Sequence, residues 1–352
     1  MNTPIPFIDI FAGPGGLGEG FSSFKNQGIH PFKPVLSIEK EKRAHETLKL
    51  RSFFRHFRHT QRPIPEQYYD CLRGHISTED LYFKWSDESL LADAEAKCIE
   101  LGGKGKNNDP AYVNELISEA LDGSKKWVLL GGPPCQAYSL VGRSRMGGID
   151  ENDPRVNLYK HYLWILANHQ PAAFVFENVT GLASSKVKDR AVFNEIIDSL
   201  CSPKSYLRAD KNFKVNHRKK DLGYSLYGLS PSSDLSTSDL FEIEKLDINS
   251  VVIKSEKHGI PQARHRIIII GIRKDLDRGH PGYLDLKDPV PVEDVIGDLP
   301  RLRGGLSKEN DGGKEWLDAF KRMSDSLQIN SDIMMSDVIK KIKSVIVKMR
   351  CP

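Results

Sequence analysis

The 352-residue chain has no long apolar run and little cysteine. No stretch approaches the roughly 18 consecutive apolar residues that a membrane-spanning helix needs. The amino terminus lacks the basic segment and long apolar core of a secretory signal. The five cysteines include no CxxC pair, so they predict neither a metal site nor a disulfide framework. A reducing cytoplasm is the expected compartment.

Neither sign of charge is in large excess. Lysine and arginine number 51 against 47 acids, and the net charge of +4 is only a weak indication of an anionic partner. A hydrophobic content of 39% and a charged content of 28% are typical of a packed globular protein and exclude wholesale disorder. The length fits one large domain or two modest ones. No repeat of solenoid period is present.

A glycine-rich turn follows the first predicted strand, Pro6–Phe11. The segment 12–18, AGPGGLG, leads from that strand into a helix, and its glycines allow close approach of a ligand to free N–H groups. Its spacing is not that of a phosphate-binding loop. The second predicted strand, Val35–Ile38, ends at Glu39, where dinucleotide folds place an acid on the ribose hydroxyls. The glycine turn and Glu39 together predict a nucleotide-like ligand. Without the glycine turn, Glu39 would be interpreted as an exposed surface acid.

A single cysteine lies on a proline-rich loop after another apolar run, Trp127–Leu130. The loop reads GGPPCQAYS, and its two prolines fix the backbone, so it is stiff. Cys135 therefore stands at a strand's carboxyl end, where open α/β sheets bind ligands. A buried structural cysteine is the alternative, although the polar Gln136 and Ser139 that follow argue against a core segment.

Two further strand ends carry polar side chains. Glu177 and Asn178 follow the apolar strand 172–176, where partial desolvation would raise the pKa of the Glu177 carboxyl; an acid bonded to a nearby turn is the alternative. Arg264 and Arg266 alternate just before and into the strand Ile267–Ile272, so both are expected on one face. Two guanidiniums there need an anion or a carbonyl-rich partner, or else form salt bridges elsewhere.

Two stretches are locally basic. Four arginines recur at helical spacing in residues 51–62, and residues 202–220 carry seven lysines or arginines against one aspartate. Each stretch is either a solvated face or a phosphate-facing surface. Residues 141–153, rich in glycine, arginine and aspartate, predict a surface loop that could act as a lid.

Together these stretches resemble the cytosine-5 DNA methyltransferase family. FIDIFAGPGG resembles the family's first motif, GPPCQAYS its cysteine motif, FENV its glutamate motif and GIPQARHR its QxRxR motif, while GDLP at 297–300 resembles the segment before the target-recognition region. The resemblance runs from about residue 6 to residue 303. It implies a Rossmann-like, doubly wound α/β fold with a mixed sheet. We expect a catalytic domain at 1–303, with insertions near 60–125 and 202–248, and a polar linker with a helix at 304–352.

The resemblance also implies a mechanism. Cys135 would add to C6 of a cytosine flipped out of double-stranded DNA. Glu177 would protonate N3, Asn178 would orient the base or its loop, Arg266 would bind O2 and Arg264 would position the thiolate. Residues 51–62 and 204–220 would contact phosphates. S-adenosylmethionine would be held, without a metal, by Phe11, Ala12, Gly13, Gly15, Gly16, Glu39, Pro133 and Pro134. Further substrate contacts would come from Gln136, Ser139 and Gln262.

Two departures from the family pattern are visible. The family has an acid after its third strand, and the nearest matching stretch, Gly74-His75-Ile76, has His75 in that place. The target-recognition region and the last two motifs are missing, which indicates a catalytic portion, either a natural subunit of a split enzyme or a truncated product. A bacterial restriction-modification system is the expected setting. A transfer RNA cytosine-5 methyltransferase and a non-catalytic DNA- or cofactor-binding subunit remain the alternatives.

Overall fold

The computed structural model describes residues 3–103, 105, 108–134, 154–182, 186–187, 190–216, 220–231, 246–299, 305, 310 and 312–329. The chain divides into two compact units, Met1–Val290 and Pro291–Pro352. Within the expected 304–352 segment, apolar spacing predicts the helix at 332–349. This helix and the predicted lid at 141–153 lie outside the described residues. The domain limits expected from the sequence stay a prediction.

The first unit contains a central β-sheet. Its strands are β1 (Ile5–Ile10), β2 (Phe32–Glu39), β3 (Ala96–Cys98), β4 (Val128–Gly131), β5 (Ala173–Val179), β8 (Tyr224–Tyr227), β9 (Val252–Lys254) and β10 (His265–Arg273), while β6 (Lys186–Val187) and β7 (Arg190–Ala191) pair separately. The order across the sheet is β3-β2-β1-β4-β5-β10-β8, with β9 on the edge of β10.

The strand order identifies the fold class. Strands β3, β2, β1, β4 and β5 are parallel, whereas β10 runs antiparallel to β5 and to β8. The order 3-2-1-4-5 is that of doubly wound sheets, which bind ligands where the order reverses, here between β1 and β4. The predicted doubly wound mixed sheet is therefore confirmed.

Helices flank the sheet in the first unit. They are α1 (Gly16–Ser23), α2 (Lys42–His59), α3 (Glu66–Leu72), α4 (Thr78–Lys84), α5 (Ser86–Glu95), α6 (Pro110–Leu121), α7 (Pro154–His169), α8 (Val192–Cys201), α9 (Pro203–Leu207) and α10 (Ile248–Val251). The second unit has α11 (Glu293–Ile296) and α12 (Gly313–Ile329). None of the helices in the described part of the chain is long and apolar enough to cross a membrane.

Both faces of the sheet are apolar, as parallel strands require. On one face, Ile10, Leu129 and Phe176 join a large core with α6, α7 and α8. On the other, Phe7 and Leu130 form a smaller cluster with side chains of α1. Because successive strand residues point to opposite faces, near-continuous apolar runs mark the central strands.

Two strands of the central sheet were not expected from the sequence. Strand β3 has three residues, Ala-Lys-Cys, and lies directly after α5, so it has no apolar run of its own. Strand β8 has only four residues and is half-buried over most of its length. The sequence of residues 86–122 indicates two helical segments, and in the structure the third strand of the sheet lies between them, separating α5 from α6.

Candidate active site

The register of the sheet aligns the strand ends that carry polar residues. Ile10 at the end of β1 pairs with Ile38 of β2 and with Gly131 of β4, and Gly131 pairs with Phe176 of β5. The residues that follow these four positions therefore leave the sheet side by side. The glycine turn, Glu39, the GPP segment (132–134) and Glu177 therefore lie together at the carboxyl ends of the strands. This is where doubly wound sheets bind ligands, at the point where the strand order reverses.

The glycine turn between β1 and α1 has a strained backbone. Phe11, Gly13 and Gly15 all have positive φ values, of 56°, 56° and 85°. Gly15 caps α1, and a Cβ there would stand 2.7 Å from Leu48 Cδ1, so a larger residue would collide with α2. The turn is tied to β2 by a hydrogen bond of 3.0 Å from Ala12 N–H to the Ile38 carbonyl.

The Glu39 carboxylate is fixed by backbone donors. Its Oε2 accepts a hydrogen bond from Gly13 N–H at 2.7 Å, and its Oε1 accepts from Lys40 N–H at 2.9 Å and Glu41 N–H at 2.7 Å. An ionised carboxylate has about four acceptor positions, so one remains for a ligand hydroxyl. The predicted glycine turn and the predicted acid are thus in direct contact.

Asp9 supports the glycine turn from inside the protein, a role that sequence reasoning missed. Its side chain is buried, and Oδ2 accepts a hydrogen bond of 3.2 Å from Gly18 N–H in α1. Burial raises the pKa of Asp9 to about 7, partly opposed by the Gly18 hydrogen bond and the charge of Arg55. A Cβ at Gly18 would stand 2.9 Å from Asp9 Oδ2, which explains the glycine there.

An open cleft with about 460 Å³ of empty space lies at the ends of β1 to β4. Apolar side chains dominate its walls, with Glu39 and Lys40 as the charged members. The lining residues are Phe11, Ile38, Glu39, Lys40, Ile99, Leu101, Gly132, Pro134 and Leu158. Three of the predicted cofactor residues, Phe11, Glu39 and Pro134, line this cleft directly, and Pro133 is buried behind it.

The acid after the third strand is Glu100, not His75. Strand β3 ends at Cys98, and the Glu100 carboxylate lies 3.1 Å from Lys40 Nζ at the side of the cleft. His75 follows α3 in an exposed turn, where its ring faces Asp70 at 3.5 Å. The assignment of His75 was wrong because the inserted helices α3 to α5 place the third strand further along the chain.

Glu177 is held between a glycine and an arginine. A Cβ at Gly132 would stand 2.6 Å from Glu177 Oε2, so a larger residue there would require this carboxyl to move. On its other side, Glu177 Oε1 lies 2.9 Å from Arg266 Nε. The N–H of that nitrogen does not point at a hydrogen-bond acceptor, so the contact is an ion pair. The strand-end acid and one predicted guanidinium therefore meet.

Asn178 connects the glutamate strand to the proline loop. Its buried side chain donates a hydrogen bond of 3.0 Å from Nδ2 to the Pro133 carbonyl, and its Oδ1 accepts from Val179 N–H at 2.9 Å. The start of the GPPCQ loop is thereby fixed against the end of β5. Cys135, Gln136 and Ser139 themselves lie outside the described residues.

Arg264 and Gln262 are not brought into this cluster. Both are exposed in the loop before β10, and the Arg264 side chain makes no hydrogen bond or ion pair with a described residue. Of the two arginines, only Arg266 contacts Glu177 in the described part of the chain, and the role expected of Arg264 stays a prediction. The loop leaves the strand geometry at residue 264, and the alternation that holds inside a strand does not extend to it.

Comparisons with known proteins identify the family. The pattern of the C-5 cytosine-specific DNA methylase family matches residues 113–205 and 237–349, more than half of the chain. The chain belongs to this family. The matched segments contain Cys135, Glu177 and Arg266.

Relatives of this DNA methylase family have more residues than the chain. The type II methyltransferase M.Bpa9945I of Bacillus paralicheniformis is 32% identical over 313 residues, which are 84% of this chain and 61% of the relative. The type II methyltransferase M.DdeI of Desulfomicrobium norvegicum is 23% identical over 86% of this chain and 50% of its own length. The DNA (cytosine-5-)-methyltransferase M.ApeKI of Aeropyrum pernix is 32% identical over 47% of this chain and 31% of its own length.

Three arginines of the first basic stretch pair with acids. Arg55 of α2 is buried and forms ion pairs with Glu95 and, at 3.0 Å, with Glu19. Arg58 also pairs with Glu19, and Arg62 pairs with Glu88 at 2.7 Å. Arg51 is half-buried beside the glycine turn. The prediction of a phosphate-facing stripe was wrong for Arg55, which is buried against acids far away in sequence. For Arg58 and Arg62, which are partly exposed, it stays a prediction.

Lys220, at the end of the second basic stretch, lies near the amino end of β5. The Lys220 carbonyl accepts a hydrogen bond of 2.7 Å from the Gln170 side chain, and Gln170 precedes β5. Glu177 lies near the other end of the same strand, roughly 20 Å away at about 3.3 Å per residue. The Lys214 carbonyl is bound by Trp164 of α7. Lys220 is therefore distant from Glu177, whereas Asp210 of the same stretch pairs at 2.7 Å with Lys160, two residues from Leu158 in the cleft wall. A phosphate contact of 204–220 stays a prediction.

Proposed function

We propose that this methylase transfers a methyl group from S-adenosylmethionine to C5 of a cytosine in DNA, as the catalytic part of a type II modification enzyme. The single observation that carries the proposal is the position of Glu177. Its carboxyl is enclosed by Gly132 and Arg266 at the end of β5, adjacent to the cleft that Glu39 borders. Family membership and the names of the relatives support the same reaction class.

The residues of the cleft fit the cofactor. Glu39 offers a fixed carboxylate to ribose hydroxyls, as acids at the end of a second strand do in this fold class. The apolar walls, including Ile99 and Leu101, suit the adenine ring, and Glu100 stands where it could accept from an exocyclic amino group. The glycine turn would contact the methionine part through backbone N–H groups. When bound, the sulfonium supplies an electrophilic methyl group.

The chain's own residues would activate the cytosine. The Cys135 thiolate forms a bond to C6, which turns C5 into a nucleophilic, enamine-like carbon. Glu177 shares a proton with N3, and Arg266 binds the O2 carbonyl, so the charge that develops in the ring is stabilised on both sides. After C5 has accepted the methyl group, C5 loses its proton to a base and the bond between Cys135 and C6 breaks. The enzyme returns to its starting form, with methylated cytosine and S-adenosylhomocysteine as products.

Positioning would come from three further residues. Asn178 fixes the proline loop on β5, and Arg264 could reach the thiolate or the backbone of the target nucleotide. Gln262, exposed beside it, is a candidate contact to the base pair that the cytosine leaves. The base must rotate out of the duplex, which costs a few kcal/mol of stacking and pairing.

Sequence recognition would come from a further protein segment. The chain covers 61% of M.Bpa9945I and 50% of M.DdeI, so those relatives contain additional regions. We infer that a region of this kind, in the same or a second polypeptide, selects the target site and completes the cofactor pocket. Calorimetric titration of S-adenosylmethionine into the 352-residue chain tests this: tight binding with transfer to unrelated DNA would contradict it.

The catalytic proposal is tested by methyl transfer from labelled S-adenosylmethionine to mixed-sequence duplex DNA, with the further recognition region supplied in the same or a second polypeptide. Cys135→Ser should abolish transfer, and Glu177→Gln should slow it severely. Cys201→Ser, a half-buried free cysteine in α8, is the matched control and should remain active. Full activity of Cys135→Ser would remove the nucleophile assignment, and a Glu177→Gln rate within about twofold of wild type would remove the proton-sharing role. Preferential transfer to structured RNA would favour transfer RNA as substrate.

A further inference from the structure

Positive charge near the site comes from a part of the chain that neither basic stretch includes. Lys254, Lys257 and Lys287 are all exposed, as is Arg264. They surround the connection between β9 and β10, at the edge of the sheet where Arg266 meets Glu177. We call the three lysines the lysine cluster.

Backbone contacts bring the lysine cluster together. Lys254 is the register partner of His265, next to Arg266. The short helical turn Ser255–Lys257 follows at once, and Lys287 N–H donates a hydrogen bond of 2.9 Å to the Lys257 carbonyl. The aliphatic part of Lys287 covers Gly259, with Cδ 3.1 Å from the position of a Cβ there. These contacts bring lysines that are distant in sequence to one region of the surface.

The lysines of the cluster have no fixed acidic partner among the described residues. None of the three lysines forms an ion pair with an acid in the described part of the chain. The nearby Glu256 is bound instead by His265, whose Nε2 lies 2.8 Å from its carboxylate. Asp285 and Asp288 flank Lys287 and are exposed, so the local excess of positive charge is small. The lysine cluster differs from Arg55 and Arg58 of α2, which are paired with acids, because no acid in the described ranges pairs with its lysines.

We propose that Lys254, Lys257 and Lys287 bind the phosphate backbone of duplex DNA next to the nucleotide that enters the site. The inference rests on the proposed function. Duplex DNA carries one negative charge per about 1.7 Å of its axis, and lysine binds phosphates as a point charge without needing a fixed geometry. Because β10 links the cluster to Arg266, phosphates beside a flipped cytosine would lie within reach of these side chains.

The salt dependence of DNA binding tests the cluster. The variant Lys254→Gln/Lys257→Gln/Lys287→Gln is compared with Lys211→Gln/Lys214→Gln/Lys220→Gln, which removes three exposed lysines from the second basic stretch. Both lose the same charge. Binding of the full chain to a labelled duplex is followed by fluorescence anisotropy at several salt concentrations, and circular dichroism checks that both variants fold.

The cluster variant should bind DNA at least about tenfold more weakly than wild type in 0.1 M salt, with a slope of log affinity against log salt smaller by about 2 to 3, since each phosphate contact contributes about 0.9. The second-stretch variant should keep the wild-type slope. Equal slopes for the two variants, or a wild type that binds no DNA, would overturn the proposal, as would a loss confined to RNA binding. If the chain binds DNA through the cluster but transfers no methyl group even when the further recognition region is supplied, this surface stands and the proposed reaction is refuted.

Discussion

At the scale of single residues, close packing against glycine decides where Glu177 lies. Gly132 has no side chain, and a Cβ there would stand 2.6 Å from Glu177 Oε2. On its other side the carboxyl contacts Arg266 at 2.9 Å, so a shift of the carboxyl would disturb that ion pair. The glycine of the GPP segment therefore has a reason beyond turn geometry, since it leaves the space that the glutamate occupies.

Gly132→Ala should lower the rate of methyl transfer by about 10- to 100-fold, because a displacement of about 1 Å in a reacting group has effects of that size. Cofactor affinity should change much less. Gly20→Ala in α1 is the control, because nothing lies within 4 Å of its Cβ position; it should be fully active. Single-turnover rates at saturating cofactor give the comparison, and equal rates for Gly132→Ala and wild type would contradict the packing argument.

Asp9 makes stability depend on pH. Burial raises its pKa from 3.8 to about 7 in the folded protein. Between these values the native carboxyl keeps a proton that the unfolded chain has lost, so this contribution to the free energy of unfolding falls as pH rises through that window. The effect is at most about 4 kcal/mol.

Asp9→Asn removes that titration while its amide oxygen can still accept from Gly18 N–H. The free energy of unfolding in urea, measured at pH 5 and pH 8, should fall less between these values for Asp9→Asn than for wild type. Because other titrating groups are common to both proteins, the difference between them isolates Asp9. Parallel pH profiles would show that Asp9 does not titrate in this range.

At the scale of elements, one buried arginine connects three helices. Arg55 of α2 is paired with Glu95 at the end of α5 and with Glu19 of α1. Ser52 donates a second hydrogen bond to Glu95, at 2.7 Å. The inserted helical segment and the helix that begins at the glycine turn are thus attached to the same side chain.

Arg55→Ala should destabilise the protein by about 3–5 kcal/mol, because it leaves the Glu95 carboxylate buried without its partner. The double variant Arg55→Met/Glu95→Met should recover much of that loss, since an apolar pair of similar volume requires no charge compensation. Urea unfolding of the two variants and wild type measures both changes. A double variant no more stable than Arg55→Ala would indicate that the ion pair itself, not the unpaired acid, determines the cost.

At the scale of the whole molecule, the sequence predicted those parts of the site that lie at the ends of apolar runs. Glu39 and Glu177 each follow a run of buried strand residues, so their place at one sheet edge follows from the fold class. The third strand carries no such run, and Glu100 could not be located without the sheet pairing. Periodicity also could not show that Arg55 is buried, because its partner Glu95 lies 40 residues away.

The same limits explain the error over Arg55. A run of positive charge looks alike in sequence whether acids neutralise it, as at Arg55, or whether it lies far from Glu177, as at Lys220. The lysine cluster is not visible as a run of charge, because its members are dispersed over 34 positions from Lys254 to Lys287. Backbone hydrogen bonds between these segments bring them together in the fold.

The most direct test of the whole account is to trap the covalent intermediate on DNA in which 5-fluorocytosine replaces cytosine, because fluorine at C5 cannot leave as a proton does and the enzyme stays attached. Mass spectrometry of the digested adduct, formed with S-adenosylmethionine present, should place the nucleotide on the peptide that contains Cys135. An adduct on Cys71, Cys98 or Cys201, or no adduct from a preparation that methylates ordinary DNA, would contradict the account.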